Sequence, residues 1–157
     1  MTAQGDAPDW LRAVRRYLLV SAAANLLWET VQMPLYTLWR TGTRREVTIA
    51  ILHCSAGDVM IAAAVLVLTL ALLGSPDWPA RSRWPVGVCT VLFGLICTIY
   101  SEYLNTVVRL AWRYTDAMPV LPVLGTGLAP FMQWVFVPAI AILVGCWPRR
   151  DVSRHPV

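Results

Sequence analysis

Apolar residues run through this chain in four blocks, and in two of them the polar residues fall on one helical face. In the first block Asn25, Glu29, Gln32, Tyr36 and Trp39 stand at i, i+4, i+7, i+11 and i+14, so a helix carries them as one polar stripe along an apolar rod. Seventy-three residues later Thr98, Glu102, Asn105, Arg109 and Trp112 repeat the spacing, and Arg113 follows Trp112 as Arg40 follows Trp39. The blocks predict an all-α, polytopic membrane four-helix bundle, made of two similar helical hairpins, with helices over 17–38, 47–73, 85–110 and 130–147. Pro34 is expected to kink the first helix and free the Thr30 carbonyl. Residues 1–16 form a polar, basic leader and 148–157 a polar tail, flanking one domain over 17–147.

The connection over 113–129 is unusual, because it is rich in Pro and Gly yet carries no charge after Asp116. Such a segment prefers the bilayer surface or the mouth of the bundle to water, so a lid is expected there. Pro119 and Pro122 stiffen its first half, and Gly125 and Gly127 supply a hinge.

Composition fits a membrane protein. With 157 residues, 57% hydrophobic and 14% charged, the chain is too apolar for an ordinary soluble domain. Its net charge of +4 comes from arginine alone, and those arginines sit between apolar runs instead of forming a patch that could follow a phosphate backbone, which argues against nucleic acid. Cys54, Cys89, Cys97 and Cys146 lie in apolar stretches without CxxC spacing, as buried thiols do. Ser21 to Ala24 resembles a signal-peptide cleavage site, but the apolar run before it is only Tyr17 to Val20, so cleavage is not expected. Eight arginines fall on the side of the termini and the middle loop, and five on the other, which predicts a multi-pass protein with both termini cytoplasmic. Trp39 and Trp112 suit one interfacial aromatic belt, and Trp10, Trp84 and Trp147 the other.

Depth brings in the chemistry. Counting ten residues back from Trp39 and Trp112 puts Glu29 and Glu102 roughly 15 Å below the outer interface, at the level Asp58 reaches on the second helix. The two glutamates are expected to face each other across the bundle. A charged group near the bilayer centre costs roughly 2.5 to 3.5 kcal/mol on insertion scales, so three carboxylates there imply a function. They must be protonated, paired with His53 or Arg109, or bound to a cation. Glu29, His53, Asp58 and Glu102 are the candidate acid–base groups; Asn25, Gln32, Tyr36, Asn105, Arg109, Trp112 and Gln133 are the candidate ligand contacts. No metal site is expected, since His53 and Asp58 stand about 140° apart on a helix, and without CxxCH no haem or other cofactor is expected.

The stretches Glu29-x-x-Gln32-Met-Pro34-Leu-Tyr36, Leu52-His53-Cys-x-x-Gly57-Asp58 and Ser101-Glu102-Tyr-Leu-Asn105 with Met118-Pro-Val-Leu-Pro-x-Leu-Gly-Thr-Gly127-Leu-x-Pro130 resemble a group of small bacterial inner-membrane proteins. That resemblance covers about Arg16 to Trp147 and implies a four-helix topology in the bacterial inner membrane, with no activity attached. Glu29-x-x-Gln32-x-Pro34 and Ala129-Pro-Phe131 with Pro138 also resemble EXPERA-type sterol isomerases and sterol-binding proteins, although the spacing after the glutamate differs by one. This second likeness implies an apolar ligand. The expected function is a pocket that binds or converts a membrane lipid or other hydrophobic small molecule by acid–base work. A proton-coupled carrier, dimeric because four helices enclose little space, is the first alternative. A structural subunit, whose polar residues only lock helices together, is the second.

Overall fold

The computed structural model describes residues 9–147, so the tail with its arginines and most of the leader lie outside the described residues. Its elements are all helical: α1 (Asp9–Gln32), a 3-10 turn (Met33–Leu35), the short α2 (Leu38–Thr41), α3 (Arg44–Leu73), α4 (Arg83–Tyr103) with a π-turn (Leu104–Val108), and α5 (Leu128–Gly145). Among the described residues three helices are long and apolar enough to cross a membrane, over 44–73, 83–108 and 128–145.

The boundaries differ from the expected ones for local reasons. α1 begins in the supposed leader, at Asp9, whose carboxylate accepts a 2.6 Å hydrogen bond from Arg12 one turn on. It stops at Gln32, because proline disfavours helical geometry in the residue before it, and Pro34 therefore sits in the 3-10 turn and not inside a kinked helix. α3 starts three residues earlier than expected, through a capping box: the Thr43 N–H donates to Glu46 Oε2 at 2.7 Å and the Glu46 N–H donates to Thr43 Oγ1 at 3.3 Å. α4 yields to the π-turn after Tyr103, and Leu110 beyond it takes φ +54°, a left-handed conformation that costs a branched residue about 1–2 kcal/mol.

α1 packs against α3 and α5, and α4 packs against the same two, which closes a ring with α1 and α4 on its diagonal. The ring buries polar side chains and turns apolar ones outward. α1 buries Tyr17, Ser21, Asn25, Glu29 and Gln32 while exposing Leu19, Leu27 and Val31, and Met60 on α3 and Ile96 on α4 are equally exposed. A water-soluble helix bundle has the opposite pattern, so the surface is suited to lipid. The interior divides along its length. At the end where α1 starts and α5 finishes, Tyr17, Leu66, Val86, Ala141 and Ile142 form an apolar core. Thr69 and Thr90 hydrogen-bond each other at 2.9 Å there, tying α3 to α4. The carboxyl groups gather at the other end.

Between the two zones Trp134 of α5 lies against Gly94 of α4, so closely that a Cβ on Gly94 would stand 2.1 Å from Trp134 Cε3. Gly94→Ala is expected to displace that indole and cost about 1–3 kcal/mol, seen as a lowered unfolding midpoint in detergent. Gly57 meets nothing within 4 Å, so Gly57→Ala should be neutral or gain up to about 1 kcal/mol of helix propensity.

Candidate functional site

The site is assembled from the last turn of α1, the middle of α3, the last turn of α4 and the first turns of α5. Asp58 stands fourteen residues after Arg44 and fifteen before Leu73, so it marks the midpoint of the longest helix. Glu29 meets it there. The two carboxyl groups lie side by side. A chain of amides holds the pair. Gln32 Nε2 donates to Glu29 Oε1 at 2.8 Å and to Gln133 Oε1 at 3.1 Å. Gln133 Nε2 in turn donates to Asn25 Oδ1 at 2.9 Å and to Asp58 Oδ2 at 2.8 Å. One glutamine of α5 thereby joins α1 to α3, and its side chain is buried.

Glu102 comes from the diagonal helix and has a different partner. Its carboxylate accepts a hydrogen bond from the Tyr114 hydroxyl, whose oxygen accepts one from the Gly127 N–H at 3.0 Å. Burial first, and the neighbouring Glu102 carboxyl second, push the Tyr114 phenol above its usual range, so it stays a donor across the physiological range. Glu29 and Glu102, each 7% exposed, line one cavity of about 80 Å³ together with Asp58, Tyr36, Cys54 and Trp112. Among the described residues, no arginine or histidine lines it.

The segment above the cavity is folded and pinned. The Thr37 N–H donates to the Arg113 carbonyl at 2.9 Å and the Thr115 N–H to the Leu35 carbonyl at 2.9 Å, so Tyr36 and Tyr114 pair as an isolated antiparallel bridge with ring centroids 5.5 Å apart. Further along, the Leu128 N–H donates to the Pro119 carbonyl at 2.7 Å, and Met118 and Thr126 are buried. Gly125 adopts φ +66°, as its tight turn requires, and a Cβ on Gly127 would meet Met118 Sδ at 3.0 Å. The tip remains apolar and exposed, with Val123 at 95%.

Eight of the expected site residues converge here: Asn25, Glu29, Gln32, Tyr36, Asp58, Glu102, Trp112 and Gln133. Three do not. His53 is exposed on α3, because five residues of helix turn it about 140° from Asp58. Arg109 is exposed beyond the π-turn, so neither predicted cation reaches a carboxylate. Asn105, on that turn, donates back to the Ser101 carbonyl at 2.9 Å. The depth count from Trp39 and Trp112 also fails, since α1 ends before the first and the backbone leaves the helix before the second. Sequence reasoning missed Tyr114 as the partner of Glu102 and Trp134 as part of the wall. A signal was present: Tyr36-Thr37 recurs as Tyr114-Thr115, and these two dipeptides form the bridge.

No protein-family model, no curated protein and no solved structure matches the chain.

Two substitutions probe its construction. Tyr114→Phe removes the donor to Glu102 and the acceptor for Gly127, and is expected to cost about 1.5–3 kcal/mol and to speed hydrogen exchange at the Gly127 amide. Gln133→Leu strands Asn25 and Asp58 together, so its thermal destabilisation should exceed that of Asn25→Ala or Asp58→Asn alone.

Proposed function

We propose that this chain is an integral membrane protein that receives the polar head of a hydrophobic small molecule or lipid in the carboxyl-lined cavity and holds or converts it by acid–base work. The observation that carries this reading is the meeting of Glu29, Asp58 and Glu102 around one cavity with, among the described residues, no basic side chain on its wall. Polar residues that only lock helices together need no space beside them, whereas these three carboxyl groups line a cavity. Glu29 and Asp58, held side by side by the amides of Gln32 and Gln133, are the acid–base pair. Glu102, fixed by Tyr114, is the group that orients the ligand.

In this reading α1 crosses the membrane beside the three apolar helices, completing a four-helix bundle in a bacterial inner membrane. Its buried polar face packs towards α3 and α5, and Leu19, Leu27 and Val31 face outward along its middle and end. The arginine bias places the site towards the non-cytoplasmic side. A cavity of about 80 Å³ has room for a few water-sized groups, so a tail stays outside the wall, among lipid chains. The adjacent carboxyl groups of Glu29 and Asp58 also favour a second reading, a proton-coupled carrier, in which a proton leaves the pair as cargo enters.

Native mass spectrometry of protein purified with its surrounding lipid tests the first reading. Wild-type protein should retain a bound molecule that Glu29→Gln and Asp58→Asn lose. Identical retention in both variants would overturn it. Proton flux into liposomes that the same variants abolish would establish the carrier in its place.

A further inference from the structure

The wall of the cavity has an excess of acceptors over donors. Gln32 is 4% exposed and its Oε1 is buried without a hydrogen-bond partner, although both Nε2 protons are used. Its orientation is fixed, because Nε2 donates to Glu29 and Gln133, and Gln133 must direct its own oxygen to Gln32 while its nitrogen serves Asn25 and Asp58. Reversing either amide would set acceptor against acceptor. An orphan carbonyl in such a place is costly unless a donor arrives.

Charge adds a second demand. Three carboxyl groups stand on this wall, and among the described residues no arginine or histidine does, so no cation on the wall offsets the charge any of them carries. Tyr36 and Trp112 bring aromatic rings to the wall, and Met33 and Ile61 an apolar lining. Among the described residues no group of three His, Cys, Asp or Glu is arranged to hold a metal ion, so the acceptors suit a cation that brings its own N–H bonds. An alkylammonium has three donors, a positive charge that aromatic faces attract, and an apolar stem.

We infer that the cavity takes the protonated primary amine of a small amphiphile, with Glu102 and the Glu29–Asp58 pair sharing its charge and Gln32 Oε1 accepting one N–H bond. This rests on reading the cavity as a ligand site and names the chemical class of the head. The cavity has room for an ammonium and its first few carbons. The stem leaves along the apolar lining.

Thermal unfolding of the full chain in an uncharged maltoside detergent provides the test, with n-butylammonium, 1-butanol and sodium ion at equal ionic strength as probes. Butylammonium should stabilise wild-type protein at concentrations about tenfold or more below those of butanol, and sodium should not reproduce the effect. Glu102→Gln should lose about tenfold of that preference, and so should Gln32→Leu if it folds. The comparison of amine with alcohol in wild-type protein needs no variant. Equal stabilisation by butanol would overturn the amine while leaving a ligand site. Equal stabilisation by sodium would overturn it in favour of an inorganic cation. No response to any probe would overturn it as well, with the retention of a bound molecule deciding the broader reading separately.

Discussion

Everything at the polar end of this molecule depends on keeping carboxyl groups out of water. An unpaired carboxylate is expensive in a low-dielectric interior, and among the described residues arginine, the usual remedy, is absent from the wall. The chain uses amides and a phenol in its place. Gln133 reaches from α5 to Asn25 on α1 and Asp58 on α3, Gln32 returns to Glu29, and Tyr114 serves Glu102. Each is a neutral donor, so the site's charge is lowered only by protons or by what it binds. An arginine would settle that charge permanently; amides leave it available.

The sequence made much of this layer legible, and the reason is periodicity. Asn25, Glu29, Gln32 and Glu102 lie on buried faces that a 3.6-residue repeat identifies without any tertiary knowledge, and Gln133 is conspicuous inside an apolar block. The same logic fails where the helix ends. Tyr36 and Arg109 share a register in the stripes, yet only the first is buried, because the chain leaves α1 by a 3-10 turn and α4 by a π-turn. The partner of Tyr36 is Tyr114, five residues out of phase with the repeat, and such an offset is invisible to a pattern that assumes continuous helix.

The helix ends were themselves partly written in the chain. Thr43-x-x-Glu46 is a capping box, and Pro34 closes α1 two residues before itself; hydrophobic length alone had carried that helix onward to Leu38. His53 shows the opposite difficulty. Its chemistry suited the site, but a side chain's direction outranks its type, and a difference of five residues aims it away from Asp58. Polar residues within one apolar block therefore need sorting by face before any are assigned to a common site.

The spread of the amide chain along the sequence bears on how the protein enters its membrane. Glu29 and Asn25 are synthesised more than one hundred residues before Gln133, which contacts Asn25 at a separation of 108 and Gln32 at 101. During synthesis the early helix must wait, with Asp58 as the first polar side chain to join it and the amide bridge missing until α5 is made. A chain that stops before α5 leaves Asn25, Gln32 and Asp58 without the glutamine that joins them, so the last helix to be made is the one that completes the polar layer.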